Sequence, residues 1–290
     1  MEVIIGLGGA GCRIADEFAK YPQYDCFKID EGRITGPISR RRFSVAKQKD
    51  HEAYEANAPN LLDFFDDIEK DILFVIGGSG AISGMSLAIM EQIHKLPFFK
   101  SISVLYIEPN LSLLAGVKKL QERATFYVLQ EYARSGLIKR LFLVSNVQIE
   151  NILGDVPIIG YNERLNQMIV STIHMCNVYE NVESIVDNFM DFKEHTRIST
   201  IGISNLENEG NMFFPLDNIK EMRYYFAINR EKLETDGTLM RRVTENVVAN
   251  DSINTSYGVF ATEYPDDYIY FLANTSMIQY RENEKKALLL

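Results

Sequence analysis

The sequence predicts an α/β fold: a doubly wound parallel sheet, then one long helix, then a smaller α+β region. Three observations carry this. Short apolar runs alternate with helix-like patterns from Val3 to Val144. Two of those runs end directly in glycine clusters, Gly6-Leu7-Gly8-Gly9-Ala10-Gly11 and Gly77-Gly78-Ser79-Gly80-Ala81-Ile82-Ser83-Gly84. Beyond Gly160 the text changes to one long segment of helical spacing and then to strand-like runs.

Taken in order, Val3–Ile5 reads as a buried strand and Cys12–Lys20 as a helix with Ile14, Ala15, Phe18 and Ala19 on one face. Asp25–Ile29 is a second strand that ends at Asp30. Residues 31–60 are polar and broken by Gly32, Gly36, Pro37 and Pro59, so they read as irregular. Leu61–Lys70 has the spacing of a short helix. Ile72–Ile76 is the third strand, and Met85–His94 a helix after the second glycine cluster. Ile102–Ile107 is the fourth strand, ending at Glu108-Pro109. A long helix is expected from Leu111 to Arg134, stopped by Gly136. Leu141–Val144 is the fifth strand, ending at Ser145-Asn146. From Asn162 to Val178, the residues Leu165, Met168, Ile169, Thr172, Ile173 and Cys176 recur at helical spacing and predict a spacer helix between two halves. Ile198–Ile203, Met222–Ile228, Tyr257–Thr262 and Tyr268–Ala273 read as strands, with a helix at Gly237–Asn246 among them. The division expected is 1–160, 161–190 for the central helix, 191–280, and a mobile tail over 281–290.

The 290 residues carry 30 basic and 40 acidic side chains, a net charge of −10, which argues against a general nucleic-acid binder and against an anionic membrane surface. Arg40-Arg41-Arg42 is too short a basic run to change this and reads as a solvated loop. Cys12, Cys26 and Cys176 are odd in number and widely spaced, as reduced thiols of a cytoplasmic protein are. The four histidines (His51, His94, His174, His195) form no pattern with them, so no metal site built from protein ligands alone is expected. No 18-residue apolar run predicts a membrane span.

Parallel sheets of this kind take ligands at the carboxyl ends of their strands. Both glycine clusters, Asp30, Glu108 and Asn146 fall there. A strand that ends in glycines and enters a helix offers bare backbone N–H groups to an anion. Gly6, Gly8 and Gly11 satisfy G-x-G-x-x-G, and Asp30 follows Gly11 by 19 residues, the Rossmann-like dinucleotide pattern with an acid placed for a ribose hydroxyl. One such loop fits an NAD(P) or FAD enzyme. Two, about 70 residues apart, fit a nucleotide held at several phosphates from two strand ends.

With the second cluster the chain resembles the tubulin/FtsZ family of GTPases, whose signature loop reads G-G-G-T-G-[ST]-G. The run Gly78 to Gly84 matches it at Gly78, Gly80, Ser83 and Gly84. Gly8-Gly9-Ala10-Gly11-Cys12-Arg13 is similar to that family's first phosphate loop. Arg164-Leu165 and Ile169-Val170-Ser171-Thr172-Ile173 look like its central helix, and Asp191-Phe192-Lys193-Glu194 like the catalytic loop after it. The resemblance covers roughly residues 1–205, and the order of the pieces carries it. It departs at Ala81, where the family has threonine, at Ile82, where it has glycine, and at Asn188, three residues before Asp191 instead of two. A β-branched residue disfavours positive φ and keeps a phosphate at a distance, so the γ-phosphate contact is rebuilt, weakened or lost.

The resemblance implies a GTP-binding domain over residues 1–160, with GTP and Mg²⁺ as cofactors and Gly8, Gly9, Ala10, Gly11, Cys12, Gly78, Ser79, Gly80, Ala81, Ile82, Ser83 and Gly84 around the phosphates. Asp30, Glu108 and Asn146 are candidates for the ribose or base. Tyr161 could stack on guanine, with Asn162 or Asn166 on its edge. Asp191 and Glu194, expected at the end of the long helix and facing away from their own nucleotide, would orient water at the nucleotide of the next subunit in a head-to-tail homopolymer. Such a filament could take an adaptor or cargo protein. Two other readings stay open: a nucleotide-binding relative that does not hydrolyse, and an NAD(P)-dependent oxidoreductase. Gly11→Val is expected to exclude the nucleotide sterically. Glu122, Arg123 and His195 read as solvated surface and Cys12 as packing.

Overall fold

A computed structural model describes residues 1–32, 41–207, 210–248 and 253–281. Gly36, Pro37, Arg40 and the tail beyond Arg281 lie outside the described residues.

Six strands form the first half of the sheet: β1 (Val3–Leu7), β2 (Asp25–Glu31), β3 (Arg42–Val45), β4 (Ile72–Gly77), β5 (Ile102–Glu108) and β6 (Arg140–Ser145). Their order is β3-β2-β1-β4-β5-β6 and every pairing among them is parallel. This is the doubly wound order whose direction reverses between β1 and β4. The central strands β1, β4, β5 and β6 read as near-continuous apolar runs because both of their faces are covered. Alternation along β1 sends Ile5 and Leu7 to the face of Tyr54, Ile89 and Phe126. It sends Ile4 to the face of Ile14, Phe18 and Ile169.

The helices of the first face are α2 (His51–Ala56), α3 (Ser86–His94) and α4 (Val117–Ser135); those of the second are α1 (Gly8–Phe18), α5 (Asn146–Leu153) and α6 (Tyr161–Tyr179). Helix α6 connects β6 to β8 (Ile198–Ser204), which lies parallel to β6 with Leu141 opposite Ile198. The sheet then continues without a break through β12 (Tyr268–Thr275), β10 (Glu221–Asn229), β11 (Asn254–Thr262) and β7 (Val186–Asp187), with β9 (Asn211–Met212) beside β8. Helices α7 (Arg230–Thr235) and α8 (Leu239–Val248) complete this half, where Leu239 and Val243 pack on Phe226 and Val259. One sheet therefore runs through both regions, and α6 buries side chains against each.

Several expectations need correction. Helix α1 starts at Gly8, not Cys12, because Gly8 at φ +70° turns the chain from strand to helix within one residue. The polar stretch 31–60 contains β3 and α2; Asp50 caps α2 by accepting from the Ala53 amide at 2.8 Å. Residues 61–70 form turns, although Leu61, Phe65 and Ile68 are buried at helical spacing. The helix expected from Leu111 begins at Val117, after a 3₁₀ turn at Leu111–Leu113 and Gly116 at φ +57°. Gly136, left-handed at φ +83°, ends it as expected. Helices α5 and α7 had no clear signal. Helix α6 ends at Tyr179, so Asp191 and Glu194 are not at its end.

Candidate functional site

The two glycine clusters meet at the switch point, where β1 and β4 are neighbours. A β-carbon added at Gly77 would stand 2.9 Å from the Ala10 side chain, and one at Gly8 would stand 2.6 Å from Ile82 Cγ2. Most of the glycines are needed for contacts inside the protein. A β-carbon on Gly6 would strike the Gly11 carbonyl, one on Gly11 would come within 2.5 Å of the Val75 carbonyl oxygen, one on Gly78 would strike the Tyr106 hydroxyl, and one on Gly84 the His51 carbonyl. These four let α1, β4, β5 and α2 approach one another closely. Gly9 and Gly80 differ: each is exposed, with its nearest neighbours 3.6 Å or more from the place of a β-carbon.

The open surface at the switch point is therefore Gly9, Ala10, Ser79, Gly80 and Ala81. Helix α1 opens onto it with no side-chain cap and no acid in its first turn, so its leading amides and its dipole are available to an anion. The other residues of the two loops hold this surface from behind. Ser83 is buried and donates its hydroxyl to the Gly80 carbonyl at 2.7 Å, locking the 3₁₀ turn Ala81–Met85. Ile82 is buried against Gly8 in the core. Cys12 bonds the Gly6 and Ile29 carbonyls at 3.5 and 3.6 Å, and burial pushes its thiol up to about 12. Asp30 stands beside Gly9 and Arg13, with its carboxyl raised above the usual carboxylate range by burial.

Glu108 ends β5 but does not face open cleft. It is buried against Arg281 at 3.3 Å, and burial raises its carboxyl. Arg281 also pairs with Glu122, which is fully buried and accepts from the Tyr106 hydroxyl. The expectation of a solvated Glu122 is thus corrected: it faces inward from α4, directly behind Gly78. Arg281 lies over the Phe126 ring at 4.5 Å, so the end of the described chain is clamped on α4.

The base candidates cluster near the start of α6. Tyr161 is half-buried and donates its hydroxyl to Glu150 of α5 at 2.7 Å. Asn162 is exposed and Asn166, four residues on, half-buried. Asn146 is the first residue of α5, at the end of β6.

Asp191 and Glu194 are exposed in the irregular segment between β7 and β8. This segment joins β8 at Ile198, opposite the start of β6, so it lies at the amino ends of the parallel strands, the end away from the glycine clusters. It is firmly held. The guanidinium groups of Arg140 and Arg223 both lie over the Phe192 ring, at 4.3 and 3.8 Å from its centre. Arg223 also donates to the Met190 carbonyl, and Glu221 accepts from the Lys193 amide at 3.0 Å and from the Thr196 hydroxyl. Arg140 is half-buried and donates to Ser199 and Asn274 at 3.1 and 2.5 Å, and the desolvation of its guanidinium brings it down to about 10. Asn188 pairs with Tyr257 through its amide and side chain at 3.0 and 2.7 Å. Sequence reasoning missed Arg140, Arg223, Glu221 and Arg281, because a single charged residue beside apolar strand residues carries no local mark of its distant partner.

Several solved structures share this architecture. TubZ of Bacillus thuringiensis serovar israelensis, in a GTPγS-form protofilament, superposes with a TM-score of 0.71 at 14% identity, over 99% of this chain and 89% of that one. CetZ2 of Haloferax volcanii, in a GTPγS-bound protofilament, gives 0.70 at 14% identity over 99% and 96%. An empty FtsZ dimer from M. jannaschii gives 0.67 at 11% identity over 94% and 87%. No protein-family model matches the chain, and no curated protein matches it in sequence. With the doubly wound order, the continuous second half and the connecting α6 all superposing, this chain has the tubulin/FtsZ fold.

Proposed function

We propose that this chain binds GTP in the cleft between Gly9 and Gly80, assembles head to tail in the cytoplasm, and hydrolyses GTP where Asp191 and Glu194 of one copy meet the nucleotide of the next. The observation that carries the reading is the separation of the two halves of the site. The uncapped start of α1 lies at the carboxyl ends of the strands, and the acid-bearing segment at their amino ends, braced by Arg140 and Arg223. Stacked copies bring these ends together. TubZ and CetZ2, which share this fold, occur as GTPγS-form and GTPγS-bound protofilaments, which supports nucleotide binding with self-association.

Among the described residues no cluster of three or more His, Cys, Asp or Glu side chains is placed to hold a metal ion. Mg²⁺ would therefore arrive on the phosphates and keep most of its water, as this ion does. Residues Gly9, Ala10 and Gly80 would hold the phosphates through backbone amides, and Asn162 or Asn166 the base. An adaptor or cargo protein could bind the assembled filament. No helix among the described residues is long and apolar enough to cross a membrane.

A second reading, binding without hydrolysis, has one observation behind it. Ile82 fills the space between the two loops against Gly8, and Ala81 brings no hydroxyl. Light scattering of the purified chain with GTP and Mg²⁺, against GDP, tests the proposal. A rise that decays as phosphate is released is expected. A lasting rise without phosphate release favours the second reading, and a flat trace with both nucleotides overturns assembly.

A further inference from the structure

The second glycine loop rests on a buried polar cluster. Tyr106 of β5 and Glu122 of α4 are both fully buried, on the face of the sheet that holds Ile76, Phe126 and Leu129. A β-carbon on Gly78 would strike the Tyr106 hydroxyl and stand 3.2 Å from Glu122 Cγ, so the loop backbone lies directly on these two side chains. The Tyr106 hydroxyl donates to Glu122, and so does the Arg281 guanidinium, which also reaches Glu108 at 3.3 Å. One guanidinium thereby joins α4 to the carboxyl end of β5, the strand beside the loop's own β4. Arg281 is itself held from the second half of the sheet. Past the end of β12, Gln279 donates its amide to Gln130 Oε1 at 2.7 Å and accepts from Gln130 Nε2 at 3.3 Å, and both residues are buried. The Gln279 side chain accepts from the Asp217 amide at 2.6 Å, Tyr280 packs against Tyr127, and Arg281 covers Phe126. Residues 279–281 thus run back along α4 from Gln130 to Glu122.

We propose that Arg281 is a positioning residue for the second glycine loop. By fixing Glu122 and Tyr106 behind Gly78, it sets the direction in which Ser79 and Gly80 face the phosphates. The inference rests on the reading of the cleft as a GTP site and adds to it a residue from the other half of the fold. Stability alone does not call for this cluster. A buried ion pair is often no more stabilising than apolar residues of the same volume, because desolvation offsets the attraction. What the cluster supplies is direction, since a flat guanidinium fork meets two carboxylates at fixed angles. A loop that binds phosphate through backbone amides needs this. Its amides have no rotamers to adjust, so the groups behind the loop set the fit. The coupling is reciprocal: a clamp that holds the loop for GTP is in turn held by GTP.

GTP binding and amide hydrogen exchange of the full chain test this. E122Q is the reference, because it removes the buried charge that R281M alone would leave uncompensated. At a temperature where both chains are folded, R281M/E122Q should bind a fluorescent GTP about ten- to a hundredfold more weakly than E122Q. Without nucleotide, its amides over 77–80 should exchange faster than those of E122Q. In the wild-type chain, GTP should slow exchange over 279–281. Where the double variant fails to fold, R281K against the wild type takes its place; it keeps the charge, loses the fork and should show the same changes. Equal GTP affinity in the two folded chains, or unchanged exchange in either segment, leaves Arg281 a stabilising residue only and overturns the proposal while the GTP reading stands. A wild-type chain that binds no GTP overturns that reading and this role with it.

Discussion

Gly9 and Gly11 sit two residues apart in one glycine cluster and do different jobs. Gly11 is small because α1 lies against the backbone of β4, 2.5 Å from where its β-carbon would reach. Gly11→Ala should cost about 1–3 kcal/mol through overpacking and lower the thermal midpoint, with any loss of nucleotide secondary to that. The steric exclusion expected of Gly11→Val is therefore better tested at Gly9, which has room on the open side. Gly9→Leu should keep the wild-type midpoint and lose GTP binding, measured by fluorescence of a labelled nucleotide. Asp191→Ala should bind GTP and assemble, with phosphate release down by about 10²- to 10⁴-fold, the range of a lost acid–base group. Loss of binding in that variant would mean the acid serves its own cleft. The thiols make a pH prediction. Burial pushes Cys12 and Cys26 up to about 12 from an ordinary 9.0. The unfolded thiols lose their protons first, so the folded state binds more protons above pH 9.0. Stability that is present below that pH should fall as pH climbs towards 12, and thermal midpoints on either side of pH 9.0 would show it. At neutral pH these thiols should resist alkylation until the chain unfolds.

Among the elements, α4 is the least ordinary. Its expected first turns are replaced by Gly116 and a 3₁₀ turn, and its buried face carries Glu122 rather than an aliphatic residue. That acid is tolerable because Tyr106 and Arg281 meet it, although its Oε2 has no hydrogen-bond partner among the described residues. Removing one partner of a buried ion pair leaves the other uncompensated. Arg281→Met should therefore destabilise the fold by about 3–5 kcal/mol, read from urea unfolding, and E122Q in the same chain should recover part of the loss. Additive losses would show that Arg281 acts elsewhere. The segment of Asp191 is braced in a similar way, with two guanidinium groups over the Phe192 ring and Glu221 on its backbone. Arginine suits this task because its flat, fixed fork stacks and hydrogen-bonds at once.

At the scale of the whole molecule, the sheet gives the chain two unlike ends. The glycine loops are at one end, and acids with exposed aliphatic residues at the other. A ligand that binds only the folded state raises its stability. GTP at about a hundredfold excess over its Kd should add about 2.7 kcal/mol, and NADH nothing, in differential scanning fluorimetry. Stabilisation by NADH alone would return the chain to the dinucleotide enzymes that Gly6, Gly8, Gly11 and Asp30 also fit.

By itself the sequence determined five strands of the first half (β1, β2, β4, β5 and β6), helices α1, α3 and α4, the long α6 and the position of both glycine clusters at strand ends, but not β3, α2 or α5. These follow from local periodicity and from which residues tolerate a turn, and such signals lie within a few neighbouring residues. The resemblance of the glycine loops and the 191–194 acids to the tubulin/FtsZ pattern was legible for the same reason. Only the tertiary structure decided that Gly80 faces open cleft while Gly84 packs on α2, that Glu122 points inward, that Ile82 seats on Gly8, and that one sheet joins both halves. Each of these depends on atoms far apart in the chain, as when Arg281 reaches Glu122 or Leu141 meets Ile198, and no short run of sequence carries information about its distant partner.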